Sequence, residues 1–431
     1  MFNEIVLDRR TTQLASLTCG SRYDARGADN VLTLLALTTH SAPELPLHGL
    51  RVLELAAVLA GPQVGQFLAE LGAEVIKIEP PAGDVTRSWK TPLEPADTDV
   101  SAYFACANWG KQSVTADLRT PAGLALVQQL AARADLVLAS YKPGDAEKLG
   151  VDYAALSRHN PRLIYGQITG YGPEQPRAGY DAVVQAEAGF MHLNGEPGQP
   201  PLKMPVALMD LLAAHQLKEG LLTALYRRER TGHGALVQVS LWEAGLASLA
   251  NQASTYLVTG HDPQPLGSAH PSIAPYGTVY RGADGQRLVL AVGSDRQFAD
   301  LCAALDRPQW AQDERFQTNG ARVRHRADLE ALLTGRVGEV SGAQLLAKLE
   351  AAAVPAGAVR SVDEALRQPA ARAMLLPPAA GFAHPGLRTV AFRSPQWATA
   401  AALPPPPGLG QHTAALGDAA GLSVENSTPA R

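Results

Sequence analysis

Asp210 is the residue whose setting is best suited to chemistry. It follows the apolar, strand-like run at 206–209 and stands at the head of an amphipathic stretch that reads as a helix from 211 to about 228. Ala214, Leu217, Leu221, Ala224 and Leu225 recur at three- and four-residue spacing and form one apolar face. Asp210 lies on that face, one turn before Ala214, whereas His215, Gln216, Glu219 and Thr223 point elsewhere. A carboxylate between Met209 and Leu211 must be hydrogen-bonded, paired or used, because an unpaired buried charge is expensive. Two readings stay open and are compatible. Asp is a favoured N-cap, accepting from the first free backbone N–H groups of a helix. A helix N-terminus also keeps a carboxylate ionised, the state a carboxylate nucleophile needs.

The elements that must position this residue alternate along the chain. Residues 50–55 read as a strand. Gly61 and Pro62 open a helix that stops at Gly72, and 73–79 is a second strand. Residues 113–118 form a strand, and Thr120 caps a helix with Pro121 at its first position. Strands at 136–140, 163–169 and 235–241 follow, with a long helix at 243–259. Strands alternating with helices imply an α/β fold, a doubly wound, Rossmann-like parallel sheet. Residues 260–275 read as a linker. Beyond it the character changes: Ala283, Asp284 and Gly285 sit between two strand patterns and signal a hairpin, and charged helices follow. The expected organisation is an extension at 1–46 that contains the short apolar run 31–37, and a large α/β domain at 47–259. After the linker come a smaller α+β domain at 276–375 and a return to the large domain with a tail at 376–431.

Composition excludes several classes. The chain has 431 residues, 46% hydrophobic and 18% charged, which is globular and ample for a large core. A net charge of −4 argues against a nucleic-acid surface. Cys19, Cys106 and Cys302 form no metal or redox spacing and read as reduced thiols of a cytoplasmic protein, so no metal site is expected. No apolar run approaches the ~18–20 residues of a membrane helix, and no apolar core follows Arg9 and Arg10, so neither membrane insertion nor a secretion signal is expected.

The opening strand–helix–strand also invites a dinucleotide reading, with Gly61 before the helix and Glu79 placed to hold a ribose hydroxyl. The glycines are Gly61 and Gly65, so the GxGxxG turn is absent. A helix-start turn accounts for Gly61 as well.

Segments throughout the chain carry a family resemblance. LRVLELAAVLAGPQVGQFLAELGAEVIKIEPPAGDVTRSW (50–89), NWGKQSVTADLRTPAG (108–123), YKPGDAEKLG (141–150), NPRLIYGQITGYG (160–172), AGYDAVVQAEAG (178–189), GSAHPSIAPY (267–276) and LGQHT (409–413) occur together and in order. The sequence resembles the class III CoA-transferase family, whose members include formyl-CoA transferase, succinate–hydroxymethylglutarate CoA-transferase and carnitine CoA-transferase. The resemblance covers about 47–415 and implies an enzyme that moves CoA from an acyl-CoA to a carboxylic acid. It implies Asp210 as the nucleophile, forming an acyl anhydride and then an aspartyl–CoA thioester. Covalent catalysis stores the thioester energy instead of losing it to water. The resemblance further implies that CoA is a substrate and that no cofactor is permanently bound. It places the CoA at Val58, Leu59 and Ala60 after the first strand, with Arg119, Ser140, Tyr141, Lys142 and Lys148 near its nucleotide end. Basic groups there suit the phosphates of CoA, although Lys142 and Lys148 also read as a solvated helix end. Tyr180 and Asp181 match the segment beside the thioester. His270 lies in a loop able to approach an acceptor carboxylate, or is a satisfied loop residue. An interlocked homodimer is implied as well.

The racemase branch of the family pairs its aspartate with a histidine in Gly-His-Asp. Here the segment is Gly179-Tyr180-Asp181. Tyrosine, with an ordinary pKa of about 10, is a poor proton-transfer group near neutrality. A 2-methylacyl-CoA racemase is therefore the alternative enzyme, and a non-catalytic CoA-binding protein the alternative outside catalysis. Leu59 and Pro80 stand where formyl-CoA transferase has glutamine and arginine, which disfavours formate and oxalate. The segments 178–195 and 267–276 look closer to dicarboxylate-type members and lean towards succinyl-CoA as donor.

Overall fold

The computed structural model describes residues 45–419. The apolar run 31–37, Cys19 and nearly all of the extension at 1–46 lie outside the described residues. Six parallel strands form the main sheet: β1 (Arg51–Leu55), β2 (Glu74–Glu79), β3 (Lys111–Thr115), β4 (Leu136–Ala139), β5 (Ile164–Thr169) and β6 (Ala235–Ser240). Their order is β3-β2-β1-β4-β5-β6. The central strands β1, β4 and β5 are buried on both faces, as a parallel sheet requires, while edge strand β6 leaves Leu236 and Gln238 exposed. In β1, Val52 faces one core and Leu53 the other; in β4, Leu136 and Leu138 oppose Val137 and Ala139.

Helix α1 (Ala60–Glu70) packs Val64, Phe67 and Leu68 into the first core, and α2 (Pro121–Ala132) packs Leu126 and Val127 into the second. Thr120 caps α2 by accepting from the Gly123 N–H at 3.1 Å, with Pro121 at the first helical position as expected. After β5 come α3 (Asp181–Glu187) and the 24-residue α4 (Leu208–Thr231). Helix α4 buries Ala213, Ala214, Leu217, Leu221 and Ala224 against the first core, the face expected from spacing. It starts earlier than the periodicity indicates. Leu208 and Met209 belong to its first turn and not to a strand, because Met209 is fully buried and must continue the apolar stripe.

The single helix expected at 243–259 is two helices, α5 (Leu241–Ser248) and α6 (Asn251–Thr259). The break is at Ala250, whose φ of 46° lies in the left-handed region that no α-helix can use. The expected hairpin is present: β7 (Tyr276–Arg281) pairs antiparallel with β8 (Arg287–Ala291), which pairs with β9 (Ala356–Ala358). Against this second sheet lie α7 (Asp295–Ala304), α8 (Arg326–Gly338) and α9 (Gly342–Ala351), enclosing a separate core around Leu288, Leu290, Phe298, Leu301, Leu333 and Leu349.

The chain then returns to β3. A short antiparallel pair, β10 (Leu375–Leu376) and β11 (Gly386–Leu387), sits by Trp109, whose ring lies so close that a Cβ on Gly386 would be 2.4 Å from it. Farther on, the His412 N–H donates to the Ser113 carbonyl at 2.9 Å and the Thr115 N–H donates to Thr413 Oγ1 at 2.9 Å. The edge of β3 is thereby covered, which removes a row of unpaired backbone groups.

Candidate functional site

In a sheet of this order, neighbouring connections leave β1 and β4 in opposite directions, so a crevice opens beyond their carboxyl ends. The residues placed there are 56–60 after β1 and 140–142 after β4. The two loops touch: the Ala57 N–H donates to Ser140 Oγ at 3.0 Å. Val58, Leu59, Ala60, Ser140, Tyr141 and Lys142, distant in sequence, therefore lie on two loops joined at the same end of the sheet. Leu59 and Ala60 have buried side chains and offer the crevice backbone only. Ala60 begins α1, whose N-terminus carries no side-chain cap. Lys142 is exposed at the other wall.

Asp210 is the third residue of α4, and the cap of that helix is not its own. Residue 207 is the N-cap position, an alanine with no side-chain bond. The Met209 N–H instead donates to Asp181 Oδ1 at 2.8 Å. Asp181 Oδ2 accepts from Gln185 Nε2 at 2.8 Å, and Gln185 in turn accepts from the Met204 N–H at 2.9 Å. Asp181 thus performs the capping that is one of the two readings of Asp210, and it leaves the Asp210 carboxylate without a hydrogen bond or cation among the described residues. Asp181 reaches this place because Gly170 at the end of β5 and Gly179 pack backbone on backbone. A Cβ on Gly170 would lie 2.5 Å from the Gly179 Cα, and one on Gly179 would lie 2.4 Å from the Gly170 Cα. The Trp242 N–H donates to the Gly170 carbonyl at 3.1 Å and ties the head of α5 to the same point.

Burial first, and then the negative charge of Asp181, push the Asp210 carboxyl up to about 7. It is therefore divided between acid and carboxylate at neutral pH, although the helix N-terminus favours the ion. Tyr103 sits in the same field: burial, then Asp210, and then Cys106 and Asp181 push its phenol up to about 12, so it stays a hydrogen-bond donor. Its ring meets Trp89 edge-on at 5.1 Å. Cys106 is exposed at its surface, and the protein packed around it pushes its thiol up to about 11 by desolvation. Sequence reasoning missed Tyr103 and Trp89. The available signal was two aromatic residues flanking a polar stretch, Trp89 at the end of one matched segment and Tyr103 before the next, and that signal does not say which way a ring points.

The remaining expected residues are arranged as follows. Tyr180 is exposed and precedes α3. Arg119 follows edge strand β3, two positions from β1 in the sheet, and its guanidinium holds Asp117 at 2.9 and 3.0 Å. Lys148 pairs with Asp145 at 2.9 Å. Both are exposed. His270 is satisfied within its loop: Nδ1 accepts from the Ser272 N–H at 3.1 Å, and its ring meets Tyr276 at 5.2 Å. Glu79 is not available to a ribose. It is buried, with two bonds of 2.7 Å from Arg87 and one of 2.6 Å from Ser113 Oγ. Gly61 and Gly65 serve close helix–strand packing and not a pyrophosphate turn: a Cβ on Gly61 would meet the Ala56 Cβ at 2.3 Å, and one on Gly65 would meet Glu54 Oε2 at 1.9 Å. Among the described residues no cluster of three or more His, Cys, Asp or Glu could hold a metal ion, and no helix is long and apolar enough to cross a membrane.

Known proteins resemble this chain over most of its length. The chain is 42% identical over 355 residues to the succinate–glutarate CoA-transferase of Agrobacterium fabrum, an alignment covering 80% of this chain and 88% of that protein. It is 37% identical over 331 residues to the succinyl-CoA–D-citramalate CoA-transferase of Chloroflexus aurantiacus, covering 76% and 81% respectively. Among solved structures, a CaiB/BaiF family protein from Brucella suis superposes with a TM-score of 0.78 at 41% identity, covering 88% of this chain and 100% of that one. Residues 47–413 match CoA-transferase family III as a whole. On that match over most of its length and on these relatives, the chain belongs to CoA-transferase family III, the class III CoA-transferases.

Proposed function

We propose that the protein transfers CoA from succinyl-CoA to a second carboxylic acid through covalent intermediates on Asp210. The observation that carries this is a partly buried carboxylate at the head of α4 that no group among the described residues neutralises. In its ionised form Asp210 attacks the thioester carbonyl; the new C–O bond forms, the C–S bond breaks and CoA leaves as thiolate. The thiolate then attacks the aspartyl carbonyl of the anhydride, releasing succinate and leaving an Asp210–CoA thioester. An acceptor carboxylate displaces the thiolate, giving a second anhydride. Thiolate attack on the acceptor's acyl carbon yields the product acyl-CoA and restores Asp210. Each step exchanges one acyl bond for another, so the thioester energy is kept as long as water is excluded.

The CoA moiety is read into the crevice between the β1 and β4 loops, along Val58–Ala60 and Ser140–Lys142, with Arg119 and Lys148 at the phosphate end. Succinyl-CoA as donor rests on the relatives, two of which are named for succinate or succinyl-CoA. The active unit is read as a homodimer. Helix α6 presents Leu257 and Val258 at 79% and 85% exposure beside Tyr256, an apolar face that a second copy would cover. The setting is read as cytoplasmic, where the free thiols Cys106 and Cys302 stay reduced.

Mass spectrometry after incubation with succinyl-CoA and borohydride or hydroxylamine tests the mechanism. A modified peptide containing Asp210 is the expected result. An unmodified protein with every acyl-CoA tried defeats it, and solvent deuterium entering the α-position of a branched acyl-CoA would point to racemisation instead.

A further inference from the structure

Three consecutive backbone groups at the end of β1 are each held by a side chain from elsewhere. The Ala56 carbonyl accepts from Lys77 Nζ at 2.8 Å, the Ala57 N–H donates to Ser140 Oγ at 3.0 Å, and the Val58 N–H donates to the Asp84 carboxylate at 3.2 Å. Lys77 and Asp84 are joined directly at 3.0 Å. Lys77 also binds Glu54 at 3.1 Å, and Glu54 binds Lys111 at 2.8 Å, while Lys111 donates to the Pro62 carbonyl in the first turn of α1 at 2.9 Å. All four charged side chains are buried. Asp84 is fixed in turn by the Thr86 N–H at 3.0 Å and the Thr86 hydroxyl at 2.8 Å.

Burying two lysines and two carboxylates is costly, and an apolar cluster of equal volume often gives as much stability. What this network does that an apolar cluster could not is to fix backbone polar groups. Val58 has a φ of 70°. A β-branched residue seldom adopts the left-handed region, and it does so where its surroundings over-determine it. Here the bond from Val58 to Asp84 and the bond from Ala56 to Lys77 clamp Ala57 from both sides.

We propose that Lys77 and Asp84 are positioning residues for CoA, holding the β1 loop in its strained shape before the ligand arrives. The proposal rests on the reading of this crevice as the CoA site. Neither side chain needs to touch CoA. Each acts by pre-forming the loop, so that binding does not have to order it. Sequence reasoning had no access to this role, since Lys77 reads as one more residue of a strand and Asp84 lies beyond its end.

The test is titration calorimetry of the full chain with coenzyme A. Asp84→Ala is expected to weaken binding about tenfold, through loss of the charge-assisted bond that Asp84 makes to the Val58 N–H, with the fraction of binding-competent chains unchanged. In a Val58→Gly background, where the left-handed backbone carries no side-chain penalty, the same substitution is expected to cost less than about threefold. Equal affinity of Asp84→Ala and the parent overturns the proposal. An equal loss in both backgrounds also overturns it, because that marks general packing. Hydrogen exchange on the unaltered protein decides the matter if Asp84→Ala does not fold: the Ala57 and Val58 amides are expected to be protected before CoA is added, and free exchange until CoA binds overturns the proposal. No CoA binding by the unaltered protein is a separate result, which removes the CoA reading itself.

Discussion

Replacing Asp210 by asparagine should abolish the covalent adduct and, at the same time, stabilise the protein above neutrality. The carboxyl is raised from 3.8 to about 7 in the folded chain by burial and then by Asp181. The folded state therefore binds more protons than the unfolded state between these values, and stability is greatest at low pH and falls as pH rises through the window. The slope is at most about 1.4 kcal/mol per pH unit, so the whole interval sets a ceiling of roughly 4 kcal/mol. Asp210 is partly exposed. Solvent screening lowers the expected cost to about 1–2 kcal/mol. Asparagine keeps the shape without the charge, so Asp210→Asn should melt a few degrees above the parent at pH 8 and show a smaller gain at pH 5. The assay is a pair of thermal melts at each pH, with intact-mass analysis after succinyl-CoA treatment of the same samples. A melting difference that is the same at pH 5 and pH 8 would refute the raised carboxyl. Normal CoA transfer by Asp210→Asn would refute the nucleophile.

Adduct formation by the parent enzyme should increase with pH through about 7 and then level off, because only ionised Asp210 attacks; a flat profile from pH 5 to 8 in rapid-quench mass spectrometry contradicts this. Asp181→Asn keeps an acceptor for the Met209 N–H but removes the like charge, so the midpoint of that profile should move to lower pH. Gly170→Ala places a Cβ about where Gly179 stands and should cost more than about 2 kcal/mol in denaturant unfolding, together with loss of the adduct. Leu257→Asp with Val258→Asp should lower the mass seen by light scattering if α6 is the face a second copy covers.

Much of the architecture was legible because its signals are local. Strand β4 is a short apolar run, and the Thr120–Pro121 start of α2 and the Ala283-Asp284-Gly285 hairpin depend on residues adjacent in the chain, whereas the polar β3 lies at 111–115 and not at the expected 113–118. The apolar stripe of α4 was legible for the same reason. The misreadings fall where a distant group decides the outcome. Met209 joins the helix because of the core it enters, and residues 243–259 break at Ala250, which carries no glycine or proline to announce it. Glu79 looked free for a ribose because Arg87 and Ser113, its partners, approach from a later turn and from the neighbouring strand.

By itself the sequence determined the order of strands and helices, the apolar face of α4 and the presence of a carboxylate at its head, all of which follow from periodicity and short-range propensity. Tertiary structure alone decided what that carboxylate is. The Gly170–Gly179 contact brings Asp181 onto the Met209 N–H, so a residue 28 positions away caps the helix, frees Asp210 and raises its proton affinity. It also decided that Lys77, Asp84, Glu54 and Lys111 neutralise one another under the β1 loop. Charge and hydrogen bonding act over a few ångströms of space, and distance along the chain does not say which groups will come that close.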